Sequence, residues 1–373
     1  PIKQKTSAKG PCPGRLYFLP PNSIVTGSTC LFIPALKAAG TVNITLISSA
    51  VMLYQSLYLP LPCGSRLHLM SINKEAPSPE QNQGLPILMV HGMVEDGRIF
   101  YHPSGKGLGS YLAQQGYQVY VADLRGIGKS TPKIGRHSQH GQTETICQDL
   151  PALIDFVLAH SKQPKLHLAA HSWGGVYLNA MLVRFPHLIN KVICGVYFGS
   201  KRRVRVKNFD RLLKIEFFWN RFSPLLSRSF GYLPAKKLKF GADNETLKTH
   251  TQCVSWVRDD HWRDSDDIFD YGQAAKNLVL PPIRYFAAIR DFSLGHRSDV
   301  KLFMSESCLK HASYQLLSKK AGNKLDYDHL NMLTAAQAVD DHFPRVLQWL
   351  QQKETKQVHS HANDGANTQT ASQ

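Results

Sequence analysis

Short, uniformly apolar runs alternate along this chain with longer stretches whose apolar positions recur every three to four residues. Leu85–Val90, Tyr117–Leu124, Leu166–Ala170, Val192–Phe198 and Ile283–Ile289 are the short runs. Runs of this length, bounded by turn residues, read as strands buried on both faces. Between them, Leu108–Gln115, Thr143–His160 and Trp173–Phe185 read as helices. A last helix, Ala338–Leu350, puts Phe343, Leu347 and Leu350 on one face. Strands alternating with helices at this spacing predict an α/β fold, a mostly parallel sheet with helices on both faces. Two further segments, Tyr54–Leu61 and Arg66–Ile72, flank a Pro-Cys-Gly-Ser turn and read as a hairpin. The apolar, uncharged stretch Thr41–Leu59 has the length of a membrane span, but the hairpin claims its second half.

Two regions break the alternation. Lys201–Lys239 carries twelve Lys and Arg against two acids, interleaved with Phe209, Leu212, Leu213, Phe217, Phe218, Trp219 and Phe222. An acidic piece follows, with Asp259, Asp260, Asp264, Asp266, Asp267 and Asp270. This is an insertion, not a strand-helix unit of the sheet. The expected organisation is therefore an N-terminal extension at 1–49, a core at 50–200 and 281–352, an inserted cap at 201–280, and a polar, disordered tail at 353–373.

The 373 residues suffice for one large α/β domain with an insertion. A net charge of +17 directs attention to anionic partners. With no zinc spacing, RNA-binding signature or paired basic helices, nucleic acid is the weaker candidate and an anionic membrane surface the stronger. Seven scattered cysteines, odd in number and without a Cys-x-x-Cys pair, argue for a reducing compartment. The expected location is the cytoplasm, with peripheral membrane association through the basic cap.

The chemistry concentrates at Lys165–Gly175, where an apolar strand runs into Ala-His-Ser-Trp-Gly-Gly and a helical pattern follows at once. Such a strand-to-helix turn forces the Ser172 side chain outward, and small neighbours let the two segments approach. A serine needs a base to take its proton and a carboxylate to orient that base. Asp291 lies just past the strand Ile283–Ile289, and His329 lies in a polar loop before the final helix. Asp299, eight residues beyond Asp291, competes for the acid role, although it also suits the start of a helix at Val300. His171 neighbours Ser172 and is read as packing or support, because adjacent strand side chains point to opposite faces. Gly128-Lys129-Ser130 imitates a phosphate loop but lacks the earlier glycine, and Pro132 leaves no helix to hold a phosphate. Asp123 and Arg125 then read as stabilising that turn. His137 and His140 lack a third ligand and read as a solvated loop.

The order Ser172, Asp291, His329, with His91-Gly92-Met93, Asp123–Ser130 and the Ala170–Gly174 elbow, resembles the α/β-hydrolase superfamily over roughly residues 50 to 350. The surroundings of Asp291 and His329 are similar to acid-lipase-like members. Ala170 and Ala288 depart from the family's usual glycines. The resemblance implies Ser172 as nucleophile, His329 as base, Asp291 as its partner, and the Met93 and Trp173 N–H groups as the oxyanion hole. A serine rather than an aspartate or cysteine at the elbow favours acyl transfer to water, which requires no metal and no organic cofactor. The expected substrate is a hydrophobic or lipid-like acyl ester. Rivals are an acyltransferase, a peptidase using the Asp259–Asp270 cluster as a collar for an amino terminus, and a non-catalytic protein binding membranes or partners through the cap.

Overall fold

The computed structural model describes residues 52–74 and 84–369, with side chains described as far as Lys356. The expected extension at 1–49 lies outside the described residues, as does most of the polar loop between Lys74 and Gly84. Eight strands form one sheet: β1 (Met52–Pro60), β2 (Arg66–Lys74), β3 (Pro86–Val90), β4 (Gln118–Asp123), β5 (Leu166–His171), β6 (Val192–Phe198), β7 (Ile283–Ala288) and β8 (Ser313–Leu317). Their order is β1-β2-β4-β3-β5-β6-β7-β8. β2 runs antiparallel to both neighbours, and every pair from β4 to β8 is parallel.

The hairpin expected around Pro-Cys-Gly-Ser is β1–β2, in register from Met52 opposite Lys74 to Pro60 opposite Arg66. Among the described residues no helix is long and apolar enough to cross a membrane. The central strands β3 to β6 are buried along their whole lengths, which is why they read as largely apolar runs. β8 escaped the sequence reading. Its Ser-Tyr-Gln-Leu-Leu is only half-buried at four of five positions, so neither alternation nor an apolar run announces this edge strand.

Helices cover both faces. On one side α1 (Leu108–Gln114) and α8 (Phe343–Gln369) close a core containing Leu108, Leu112, Phe343, Val346 and Leu350. On the other lie α2 (Leu150–Ser161) and α3 (Trp173–Arg184), and α3 is buried from Trp173 to Val183 because the inserted segment packs over it. That segment runs between β6 and β7 and contains α4 (Leu212–Phe222), α5 (Ser223–Phe230) and α6 (Leu247–Arg258). A further helix, α7 (Arg297–Glu306), links β7 to β8.

The C-terminus differs from expectation. α8 begins at Phe343, not Ala338, after a 3-10 turn at Ala336–Asp340, with Pro344 in the first turn where its missing N–H is harmless. It then continues to Gln369, across the position 353 where a disordered tail was expected. Lys, Gln and Glu are good helix formers. Glu354 also anchors the extension by accepting from Tyr117 Oη at 2.8 Å and from His167 Nε2 at 2.8 Å.

Candidate active site

In a parallel sheet the loops at the carboxyl ends of the strands share one edge. Here that edge gathers His91–Met93 after β3, Ser172 after β5, Lys201 after β6, Asp291 after β7 and His329 after β8. Ser172 has φ of +51° and ψ of −120°, the strained geometry of a strand turning directly into a helix. Two glycines make the turn fit. A Cβ on Gly174 would run into the Val90 carbonyl oxygen, and one on Gly92 would lie 2.7 Å from Ser172 Cβ. Ala170, where the family usually has glycine, is fully buried.

The structure separates the two candidate acids. Asp291 is buried and its Oδ2 accepts from His329 Nδ1 at 2.5 Å, while its Oδ1 accepts the Leu294 N–H at 2.9 Å. Burial opposes charge on Asp291, but His329 outweighs it and holds the carboxyl below its ordinary value. Asp299 instead accepts the N–H groups of Arg205 (3.0 Å) and Val206 (3.4 Å) at the start of α7, and burial raises its pKa. With Nδ1 donating to Asp291, Nε2 is the acceptor nitrogen of the His329 ring. Ser172 and His329 line the same cavity. Among the described residues no hydrogen bond joins the hydroxyl to the ring, and such contacts commonly tighten only around substrate.

Met93 and Trp173 also line the cavity. Trp173 is the first residue of α3, where an N–H has no acceptor within the helix. The loop after β3 is held by residues the sequence did not single out. Val94, beside Met93, has φ of +53°, unusual for a β-branched residue. Its N–H donates to Glu245 Oε1 at 2.8 Å, and its carbonyl accepts from Ala242 N–H at 2.7 Å. Burial raises Glu245 to about 8, so it is largely neutral at pH 7. Glu95 Oε2 accepts from Gly92 N–H at 2.8 Å and from His171 Nδ1 at 2.7 Å. His171 Nε2 in turn donates to the His329 carbonyl at 2.8 Å. Both partners of His171 are acceptors, so the ring carries both protons. Burial opposes this, yet Glu95 raises the His171 pKa, and His171 holds Glu95 at about 2. His171 is thus support for the site, as expected from its place beside Ser172. Glu95 had no recognisable local motif.

Other sequence expectations resolve similarly. Asp123 stabilises its turn, accepting from Gly97 and Lys129 N–H groups and from His68 Nδ1. Arg125 pairs with buried Asp149. His137 is exposed, but His140 is half-buried and bonds the Arg125 carbonyl, because the cap covers that loop. The acidic cluster faces ion pairs, not the cavity: Asp260 with Arg203 and Arg205, Asp266 with Lys248, Asp267 with Arg184, Asp270 with Arg263. It forms no collar. The first basic residues of the cap are likewise internal. Lys201 and Arg202 are buried, and Arg202 binds Glu306 and the carbonyls of Trp256 and Asp259.

The cavity holds about 900 Å³ and is walled mainly by apolar groups. Ile215, Phe218 and Trp219 come from α4, Cys253 and Val257 from α6, and Leu333 from the short helix Asn331–Thr334 just after His329. A model of the α/β-hydrolase fold matches residues 86–222, the stretch from β3 through the elbow into the cap. The chain carries the α/β-hydrolase fold. Over 116 residues, 29% of its length, the chain is 32% identical to Lipase 1 of Drosophila melanogaster, and the match spans 26% of that relative. The chain thus covers about a quarter of the curated relative's length. Among solved structures, an esterase from Exiguobacterium antarcticum aligns with a TM-score of 0.52 at 14% identity, over 80% of this chain and 100% of its own. A thermophilic esterase from Thermogutta terrifontis aligns with a TM-score of 0.50 at 14% identity, over 80% and 99%. At that identity the structural likeness is one of fold.

Proposed function

We propose that this α/β-hydrolase cleaves carboxylic esters with a hydrophobic acyl or alcohol part, through an acyl-enzyme on Ser172. The observation that carries the reading is the meeting of a strained Ser172 and an Asp291-bonded His329 in one large apolar cavity. His329 Nε2 takes the hydroxyl proton as Oγ attacks the ester carbonyl. Asp291 steadies the imidazolium, and the N–H groups of Met93 and Trp173 receive the oxyanion. The same histidine protonates the leaving alcohol, then activates water to release the acid. The lipase and esterase relatives support ester chemistry over other uses of the scaffold.

The test is labelling with a fluorophosphonate, read by mass spectrometry on wild type and Ser172→Ala, alongside p-nitrophenyl esters of rising chain length. A single adduct on Ser172 and an optimum at intermediate or long chains support the reading. Equal turnover by Ser172→Ala overturns it.

Contact with an anionic lipid surface has its own support. On α4 and α5 and their flanks, Phe209 is 76% exposed, Leu225 61% and Phe217 58%. Among them lie exposed Arg221, Arg228, Lys236, Lys237 and Lys239. Apolar side chains fringed by cations suit an interfacial position.

A further inference from the structure

Lys201 is the most costly side chain in the site to explain by stability alone. It follows β6, adjacent in the sheet to β5 with its Ser172, and its side chain lines the cavity. It is 93% buried, as its 7% exposure implies. An ammonium has three donors, and burying one without acceptors is expensive. Yet Lys201 makes no hydrogen bond and no ion pair with the described residues. Its charge meets only the face of Trp173, at 5.4 Å from the ring centroid. Of the groups whose fields reach it, Cys253 is a thiol that burial pushes up to about 12 and so keeps neutral, and the carboxylates are committed elsewhere: Asp291 to His329, Asp299 to the Arg205 and Val206 N–H groups, Glu95 to His171.

The rest of the lining leaves the same surplus. Asp96 is paired with Arg98 and Lys214 with Asp210, while Lys106 stands exposed at the rim without an acid partner. The cavity therefore carries uncompensated positive charge beside Ser172, within walls that are mainly apolar. Burial alone pulls the Lys201 pKa down, so the free site holds its proton less firmly than a site with an anion in it.

We propose that Lys201 receives an anionic group of the substrate, so that the preferred ester is an amphiphile with a carboxylate or phosphate a few atoms from the scissile carbonyl. This rests on the serine-hydrolase reading of the same site and narrows it. A fully apolar ester would leave the ammonium unpaired on binding, whereas an acid replaces lost water with a charge-assisted hydrogen bond.

The experiment compares matched pairs on wild type and Lys201→Met. One pair is p-nitrophenyl hydrogen glutarate against p-nitrophenyl pentanoate. The other is 1-oleoyl-lysophosphatidate against 1-oleoylglycerol. The expected result is that kcat/KM of wild type favours the acid in at least one pair, and that Lys201→Met lowers this preference by about tenfold or more. The pair that responds identifies carboxylate or phosphate. An acid-to-neutral ratio unchanged by the substitution in both pairs overturns the proposal. Melting temperature separates recognition from a structural charge. Lys201→Met is expected to melt no lower than wild type, and a clear fall would make Lys201 a structural counter-ion and overturn the proposal too. Binding of decanoate and decanol to Ser172→Ala, with and without Lys201→Met, needs no turnover. Decanoate weakened about tenfold by the second substitution supports the assignment, and equal binding overturns it. Should wild type take no fluorophosphonate and turn over no ester, the hydrolase reading fails while the binding result still judges Lys201.

Discussion

Glu95 and His171 form a partly buried ion pair, Oε2 to Nδ1 at 2.7 Å, that ties the loop after β3 to the last residue of β5, next to Ser172. Through the other ring nitrogen, His171 reaches the main-chain carbonyl of His329. One imidazolium thus spans loops carrying three parts of the site. Glu95→Gln removes the charge that keeps His171 doubly protonated. The expected outcome is a fall of about ten- to a hundredfold in kcat with a smaller change in KM, as the base loses its alignment. Steady-state kinetics on a neutral ester checks this.

The same pair sets a pH dependence. Glu95 is held at about 2 from 4.5, so its contribution is complete above 4.5 and lost as pH falls toward 2. His171 is raised from 6.5, so its contribution is complete below 6.5 and lost as pH rises through the higher value. The melting-temperature gap between wild type and Glu95→Gln is therefore expected to be widest between pH 4.5 and 6.5 and to narrow in alkali. A gap that widens steadily above pH 7 would contradict the assignment.

Asp291 and Asp299 are expected to differ in kind. Asp291→Asn preserves the shape but removes the charge that orients and stabilises His329, and kcat should fall by about 10³ to 10⁴. Asp299→Asn should retain most turnover and lose about 1 to 3 kcal/mol of stability, because it weakens acceptance of the Arg205 and Val206 N–H groups. Paired kinetics and denaturant unfolding distinguish them.

Acid should unfold the protein through buried neutral histidines. Burial lowers His250 and His342 from 6.5 to about 4. The unfolded chain takes up these protons first, so stability drops as pH falls from 6.5 to 4. Urea unfolding of His250→Gln with His342→Gln should show a shallower loss across that window than wild type.

The basic cap divides into two classes. Arg202→Met strips the buried partner from Glu306 and two carbonyls, and should cost about 3 to 5 kcal/mol. Changing Arg221, Arg228, Lys236, Lys237 and Lys239 to Gln should leave unfolding nearly unchanged but weaken binding to anionic vesicles at low salt. Vesicle co-sedimentation with a salt series reads the second effect.

What the sequence determined by itself was whatever depends on local spacing. Strands buried along nearly their whole length are mostly apolar, so β3 to β7 stand out. An elbow needs small residues at fixed offsets, so Ser172 stands out as well. Ser172 and Asp291 were placed by the strand ends before them, and His329 by the polar loop before the final helix. Only the tertiary structure could choose Asp291 over Asp299, because that choice turns on which carboxylate reaches a ring 38 residues away. The same holds for Glu95, Glu245 and Lys201. Each is an ordinary charged residue in sequence, and each gains its role from burial against segments distant in the chain. The charge run 201–205 reads as a surface in one dimension, yet folding places Lys201 and Arg202 inside. Periodicity reports which face a residue takes on its own element, and cannot report what another element brings to cover it.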